Sequence, residues 1–273
     1  MTDTPSPIHA GDRLARMRET APLVHNITND VSMNFLANVL LAVGASPAMV
    51  QANEEVGEFA ALADALAINI GTITAPQATA METAVDAARS ADTPWVLDPV
   101  AVGATAYRRE LGSRLVELGP AVIRGNASEI LTLAGAHAAG RGVDTGDTVT
   151  AAETGADALA RHTGAVVAVT GPEDYVTNGV RALRIANGHA MMPRVTAMGC
   201  ALTGVVAAFV AAGGMPLEDT AAALAGFAVA GEHAGERAAG PGRFAVHFID
   251  ALYTLDPATL DAGAHIRADR PRG

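Results

Sequence analysis

The 273-residue sequence contains no lysine, because all 18 of its basic residues are arginine. This absence excludes a Schiff-base lysine, the lysine of a Walker nucleotide-binding loop and the strand lysine of a protein kinase. If the chain binds phosphate, we expect it to use arginine side chains, helix N-termini and a metal ion.

Cysteine is almost as scarce, since Cys200 is the only one. A single cysteine excludes an intramolecular disulfide framework and a zinc site made of several cysteines. The net charge of −11 argues against sequence-independent binding to a nucleic-acid backbone, so we expect no nucleic-acid partner. The sequence starts without a basic and apolar leader, from which we expect a cytoplasmic location.

One stretch, Gly199 to Leu217, carries no charge and could be mistaken for a membrane span. However, Gly213-Gly214-Met215-Pro216 should end its helix after about four turns, which is too short to cross a bilayer. We therefore expect a buried core helix and no membrane partner.

Short apolar runs alternate with longer amphipathic or alanine-rich stretches, which predicts βα units around a parallel sheet in an α/β fold. The strand candidates are Leu23–Asn26, Ala48–Gln51, Ala65–Ile70, Trp95–Pro99, Ala121–Arg124 and Val166–Thr170. Helices are expected to start near Asp30, Asn53, Pro76, Arg108, Ser128 and Ala151. Tyr175 to Arg181 contains an Asn-Gly turn and predicts an antiparallel hairpin at the edge of the sheet, followed by a helical C-terminal part.

The chain shows no tandem repeat or long linker, so we expect a single domain over residues 1–273. Residues 1–12 and 261–273 are expected to be frayed tails. The segment from Gly135 to Thr148, rich in Gly, Ala and Asp, is the candidate for a surface insertion or a loop that gates a site.

Polar residues follow the predicted strands, where ligands bind in open parallel sheets. They are Asn29 after the first strand, Asn69 after the third, Asp98 after the fourth, Arg124 after the fifth and Thr170 after the sixth; Met49 lies in the second. Individually these residues could be caps or turn residues. Together they predict a polar cleft.

Asp98 and Glu129 could hold Mg²⁺ directly or through water, leaving positions for phosphate oxygens. The alternative for Glu129 is that it caps its own helix. Arg124 offers a planar fork to phosphate, with a salt bridge to Asp98 or Glu129 as the alternative. His25 fits a hydrogen-bonded structural residue better than a base.

Cys200 opens a predicted helix, whose unpaired N–H groups and positive end should stabilise an anion beside Gly199. The same field should favour the thiolate of Cys200. The alternative is that a lone cysteine is a small buried apolar residue.

Five ordered motifs resemble the hydroxyethylthiazole kinase family, which has the ribokinase-like three-layer α/β/α fold. They are the segments 23–29, 41–49, 98–105 and 123–129 and the Gly199-Cys200 helix start. The resemblance implies ATP-dependent phosphorylation of the hydroxyl of 4-methyl-5-(2-hydroxyethyl)thiazole in thiamine salvage. It also implies a homotrimer with active sites at subunit interfaces.

The resemblance also implies roles for individual residues. Met49, Asn29, Ala197 and Gly199 match substrate-contacting positions, Arg124 and Thr170 match ATP-contacting positions, and Asp98 and Glu129 match the acidic positions around Mg²⁺. Cys200 matches the residue that replaces the aspartate base of most ribokinase-like enzymes.

The chain departs from the family pattern at Ala197-Met198, where glycine and a small residue are usual, and at Asn26, where cysteine is expected. If Ala197 needs a positive φ, it is strained by roughly 1–2 kcal/mol, and its methyl group could crowd the substrate. The alternatives are a kinase for hydroxymethylpyrimidine or pyridoxal, an ADP-dependent dehydratase of the same fold, or a nucleotide-binding relative without kinase activity.

Overall fold

The computed structural model describes residues 8–137 and 148–272, which include a nine-stranded sheet ordered β2-β1-β3-β4-β5-β6-β7-β8-β9. The strands are β1 (Leu23–Ile27), β2 (Ser46–Ala48), β3 (Ala65–Asn69), β4 (Trp95–Asp98), β5 (Val122–Asn126), β6 (Val166–Thr170), β7 (Asp174–Thr177), β8 (Ala182–Ile185) and β9 (Ile266–Asp269). Strands β1 to β6 pair in parallel, and β7 to β9 add an antiparallel edge. The predicted mostly parallel sheet with an antiparallel edge is confirmed.

Helices cover both faces of this sheet. They are α1 (Ala10–Thr20), α2 (Met33–Val43), α3 (Val56–Leu62), α4 (Ala75–Ser90), α5 (Ala106–Glu117), α6 (Ala127–His137), α7 (Thr148–Thr163), α8 (Met198–Gly213), α9 (Pro216–Arg237), α10 (Pro241–Thr254) and α11 (Pro257–Gly263). One hydrophobic core joins the sheet to α1, α2 and α8 to α11, and a second joins it to α3 to α7. The predicted three layers are therefore present.

The strands are apolar on both faces because each face meets helices. Val96 of β4 belongs to the core beneath α8, whereas its neighbour Leu97 belongs to the core beneath α3 to α7. This alternation follows from the period of two in a strand.

Helix α8 is the predicted core helix. It ends at Gly213, and Gly214 adopts the left-handed conformation (φ 76°) that glycine adopts without a steric penalty. Its side chains from Ala201 to Val210 are buried. In the part of the chain that the structure describes, no helix has the length and apolar character needed to cross a membrane.

The second strand lies earlier in the chain than predicted, at Ser46–Ala48 instead of Ala48–Gln51. Gly44 ends α2 with a positive φ and directs the chain straight into β2, which pairs with β1. The carbonyl of Val50 is instead bonded to His25 Nε2 at 2.7 Å. Met49 therefore follows β2 and does not lie within it.

Two helices start three residues later than predicted. Hydrogen-bonded turns occupy the intervening positions, from Ser32 N to Asn29 O (3.0 Å) before α2 and from Glu55 N to Ala52 O (3.2 Å) before α3.

The prediction of frayed tails is wrong for several residues. Residues 10–12 belong to α1, residues 261–263 belong to α11, and Ile266–Asp269 forms β9 against β8. Arg267, in this C-terminal segment, pairs with Glu173 at 2.8 Å. Most of the candidate gating segment, residues 138–147, lies outside the described residues, and its ends belong to α6 and α7.

Candidate active site

The polar residues after the parallel strands meet the start of α8. Asn69, Asp98 and Thr170 are the last residues of β3, β4 and β6, and Asn29 follows β1. Strand β1 lies between β2 and β3, so the direction of chain progression reverses beside it. A crevice outside such a reversal is the usual ligand site of an open α/β sheet.

Asp98 is the most buried charge in this cluster, with 1% of its surface exposed. Its Oδ2 accepts hydrogen bonds from Asn69 Nδ2 (2.8 Å) and Thr203 Oγ1 (2.9 Å). Burial raises the pKa of Asp98 to about 6, although the nearby Arg124 guanidinium opposes this shift. Among the described residues, Oδ1 has no hydrogen-bond partner, so the carboxylate can still accept a donor or a cation.

Arg124 joins three elements of the site. Its Nη2 donates to Thr170 Oγ1 at 2.8 Å, and its Nη1 donates to Gly199 O at 3.1 Å and lies 3.6 Å from Asp98 Oδ2. The salt bridge considered from the sequence is thus present with Asp98, at a distance longer than a hydrogen bond. A Cβ atom at Gly199 would lie 3.0 Å from Nη1, so the glycine lets α8 approach the guanidinium.

Glu129 caps its own helix, as the alternative considered from the sequence requires. Its Oε2 accepts from Asn126 N (2.8 Å), and Asn126 Oδ1 accepts from Glu129 N (3.0 Å), which is a capping-box arrangement. Its Oε1 accepts from Ala101 N (2.9 Å) in the loop after β4. Glu129 therefore ties the loop that follows Asp98 to the start of α6.

Cys200 is half-buried in the first turn of α8. Its Sγ accepts a hydrogen bond from Asn29 Nδ2 at 3.1 Å. The expected preference for the thiolate is wrong, because burial and then the Asp98 charge raise the pKa of the Cys200 thiol, against smaller opposing effects of Asn29, Asn69 and Arg124.

Ala197 precedes α8 with φ 67° and ψ 1°, so the positive φ anticipated from the sequence is present. A residue with a Cβ atom is strained there by roughly 1–2 kcal/mol. The bulky Met198 that follows is buried in the core. Its side chain thus fills interior space.

The other sequence candidates lie outside this hydrogen-bonded cluster. Met49 packs, partly buried, against the core on the α8 face of the sheet. His25 is a buried structural residue, since its Nε2 bonds to Val50 O and its ring packs edge-on against Phe59 at 5.0 Å. Burial lowers the pKa of His25. Asn26 is buried on the other face of β1, bonded to Val24 O at 2.8 Å.

Two further residues of the candidate site were not predicted from the sequence. Thr203 holds Asp98 and lies one helical turn after Gly199, a spacing that could have indicated it. Arg108 donates to Ile70 O (2.6 Å), Val100 O (2.9 Å) and Gly71 O, and so joins the loops after β3 and β4. No local signal indicated Arg108, because its partners come from distant positions.

Among the residues that the structure describes, no group of three or more His, Cys, Asp or Glu side chains is placed to bind a metal ion. Mg²⁺ beside a nucleotide commonly takes one or two carboxylates and completes its octahedron with water and phosphate oxygens. The free Oδ1 of Asp98 fits Mg²⁺ in this mode. Each oxygen of the nearby Glu129 already accepts one backbone N–H group, so Glu129 fits through its remaining lone pairs or through water.

The sequence and the fold resemble those of known proteins. The model of the hydroxyethylthiazole kinase family matches residues 14–258. Hydroxyethylthiazole kinase of Cereibacter sphaeroides strain ATCC 17025 is 61% identical over 258 residues, which cover 94% of this chain and 98% of that relative. The solved hydroxyethylthiazole kinase protein of Pyrococcus horikoshii OT3 has a TM-score of 0.90 at 40% identity, over 96% of this chain and 99% of the other.

A more distant solved structure, the ADP complex of Bacillus subtilis pyridoxal kinase, has a TM-score of 0.56 at 18% identity. It covers 76% of this chain and 90% of that kinase. At this identity the likeness concerns the fold alone.

Proposed function

Because this chain belongs to the hydroxyethylthiazole kinase family, we propose that it transfers a phosphoryl group from ATP to the hydroxyl of 4-methyl-5-(2-hydroxyethyl)thiazole. The product is the thiazole phosphate used in thiamine salvage and biosynthesis. The chain acts as one ribokinase-like domain in the cytoplasm, as a homotrimer with active sites at the subunit interfaces.

The observation that best supports this proposal is the position of Arg124. Its guanidinium reaches the end of β6 at Thr170, the start of α8 at Gly199 and the carboxylate of Asp98. Arginine and the N-terminus of a helix both stabilise phosphate oxygens. Arg124 and Thr170 are the groups that we assign to ATP.

Asp98 and Glu129 would hold Mg²⁺ on the phosphates. When bound, the ion supplies neutralisation of charge on the transferred group. Asp98 suits this role because its buried carboxylate keeps one oxygen free and is destabilised by burial, so a cation beside it is favourable.

Cys200 orients the acceptor hydroxyl and takes up its proton. The hydroxyl O–H bond breaks and its proton passes to Sγ of the minor fraction of Cys200 that is thiolate. The hydroxyl oxygen forms a bond to the γ-phosphorus of ATP while the bond from that phosphorus to the β,γ-bridging oxygen breaks, and ADP leaves. Such a weak base suffices because phosphoryl transfer through a loose transition state depends chiefly on positioning and charge stabilisation. Asn29, Met49, Ala197 and Gly199 contact the thiazole.

The proposal is tested by ADP release from the purified protein with Mg·ATP. The acceptors are hydroxyethylthiazole, hydroxymethylpyrimidine, pyridoxal and none. We expect release that depends on the thiazole. ADP release with hydroxymethylpyrimidine or pyridoxal alone would assign the chain to a related kinase for that acceptor. ATP binding without any ADP release would indicate a nucleotide-binding protein without kinase activity.

The assay is repeated with Cys200→Ala and Cys200→Ser. Loss of a positioned proton acceptor should lower kcat about 100-fold or more in Cys200→Ala, with little change in KM for ATP. Wild-type kcat in both variants would refute the role of Cys200 and leave the kinase assignment intact.

A further inference from the structure

A chain of side-chain hydrogen bonds runs from Asp98 to Cys200 across the carboxyl ends of β4, β3 and β1. Asn69 Nδ2 donates to Asp98 Oδ2 at 2.8 Å, Asn29 Nδ2 donates to Asn69 Oδ1 at 2.9 Å, and Asn29 Nδ2 also donates to Cys200 Sγ at 3.1 Å. Asn69 and Asn29 are 4% and 7% exposed. These side-chain hydrogen bonds are therefore largely protected from competing water.

The direction of these hydrogen bonds is fixed by a backbone group. Gly71 N–H donates to Asn69 Oδ1 at 2.9 Å, and an N–H group can only donate. The oxygen of the Asn69 amide must therefore face Gly71 and Asn29, and its NH₂ group must face Asp98. Asn29 has to present its own NH₂ group to that oxygen.

The same NH₂ group has a second hydrogen, which points at Sγ of Cys200. The thiol is thereby held as an acceptor on this side, and its own proton is directed elsewhere. An N–H donor stabilises a thiolate more than a thiol, so Asn29 and, to a smaller extent, Asn69 lower the pKa of Cys200 against the burial and the Asp98 charge that raise it.

The fit around Asn29 depends on a glycine. A Cβ atom at Gly71 would lie 2.7 Å from Asn29 Cβ, so only glycine leaves room for the amide in this position. The residue that orients Asn69 through its N–H group thus also makes space for Asn29.

We propose that Asn69 is a positioning residue that acts through Asn29 to hold the Cys200 sulfur as a hydrogen-bond acceptor in the reactive orientation. The catalytic part of this statement rests on the proposed function. The orientation of the sulfur does not, and it can be tested separately.

Cys200 is the only cysteine, so alkylation of the whole protein by iodoacetamide reports on this thiol alone. The rate is measured against pH for the wild type, Asn29→Ala, Asn69→Ala and the double variant. Loss of a hydrogen bond to a charged group should raise the thiol pKa by about one unit in Asn29→Ala, so alkylation below that pKa slows about tenfold. Asn69→Ala should produce a smaller shift in the same direction.

The double variant tests whether Asn69 acts through Asn29. We expect an effect smaller than the sum of the two single effects. The control is Asn38→Ala, an exposed asparagine that bonds within α2 to Asn34 O at 2.8 Å, which should leave the alkylation profile unchanged. If a variant does not fold, Asn29→Ser and Asn69→Ser replace it in the cycle.

Additive shifts, or unchanged alkylation in Asn69→Ala, would overturn the proposal. In the kinase assay, Asn69→Ala should lower kcat with KM for ATP unchanged, and an unaltered kcat would also contradict it. If the wild type does not phosphorylate the thiazole but the alkylation cycle is non-additive, the proposed function fails while the positioning of the sulfur stands.

Discussion

Arg184, which is buried, and Arg124, which is largely buried, both lie beside carboxylates, and their surroundings differ. Each of the three guanidinium nitrogens of Arg184 has its own acid: Nη2 pairs with Glu153 (2.8 Å), Nη1 with Glu173 (3.1 Å) and Nε with Asp269 (2.5 Å). Arg124 lies 3.6 Å from Asp98, and Arg124 Nε and Asp98 Oδ1 have no partner within the described ranges.

The comparison shows how similar groups serve two purposes. The Arg184 cluster is closed and joins β8 to β9 and α7. Arg267 pairs with Glu173 (2.8 Å) and Arg272 with Glu153 (2.5 Å), so three arginines compensate the three acids. At Arg124 the compensation is incomplete, and burial is left to destabilise the Asp98 carboxylate. Unsatisfied buried groups call for an explanation, and the Mg·ATP proposed above would provide one at Arg124 and Asp98.

The largest expected effect is on the closed cluster. Arg184→Leu leaves buried Glu153 and its neighbouring acids with less positive charge, so the free energy of unfolding should fall by about 3–5 kcal/mol. Urea unfolding measures the change. Arg114→Leu, which breaks an exposed pair with Glu82, is the control and should cost less than about 1 kcal/mol. Equal losses in both variants would remove the distinction between a closed and a surface pair.

Asp98→Asn should lower activity and leave stability unchanged, which is the opposite of the expectation for Arg184→Leu. It keeps the shape of the side chain but removes the charge, so kcat/KM should fall about 10²–10³-fold while stability is retained. Steady-state kinetics and urea unfolding are measured together. The matched variant is Asp157→Asn, at a buried acid bonded to Tyr175 (3.0 Å), which should lose stability and keep kcat. A loss of activity at Asp157 equal to that at Asp98 would contradict the assignment.

The two regions should also differ in pH dependence. Burial raises the pKa of Asp174, which follows Gly171 after β6, from 3.8 to about 6, although the Gly171 N–H donor opposes this shift. Between these values the folded protein holds a proton that the unfolded chain has released. Stability should therefore fall by up to about 3 kcal/mol as pH rises from 4 to 6.

Urea unfolding of the ligand-free protein at several pH values measures how the free energy of unfolding changes with pH. Asp174→Asn should reduce the fall between pH 4 and pH 6. Asp269 should show the reverse: despite partial burial, its bond with Arg184 lowers its pKa, so its contribution is present above pH 3.8 and is lost as pH falls. The same slope in Asp174→Asn and wild type would refute the prediction for Asp174.

Much of the fold could be predicted from local pattern. Most of the parallel strands are largely apolar runs, and the Asn178-Gly179 turn indicated the antiparallel hairpin, so these were predicted correctly, whereas the short and exposed β2 was placed two residues too late. Strand β9 was missed because its pairing with β8 joins residues about 80 positions apart, and its alternation is only four residues long. Long-range pairing of a short edge strand leaves little local signal.

The candidate site was likewise predictable only in part. The strand-end positions of Asp98, Asn69 and Thr170 follow from the parallel sheet, and the structure places them at one edge. The prediction that the Cys200 thiolate is favoured was wrong because it used only the helix start, which the sequence indicates. The burial of Cys200 and its proximity to Asp98, which raise the thiol pKa, depend on the folded structure. Desolvation is a property of the assembled site.

The smallest expected effect is on stability, through the backbone strain of Ala197 before α8. Ala197 has φ 67°, and Ala197→Gly should relieve roughly 1 kcal/mol of strain, less the entropy that glycine adds to the unfolded chain. Ala21→Gly is the matched control, since Ala21 also has a positive φ (44°) but ends α1 away from the strand-end cluster. Both variants should gain a little thermal stability. Only Ala197→Gly should change KM for the thiazole, because it removes a methyl group beside the start of α8; equal KM in both would show that Ala197 does not contact the substrate.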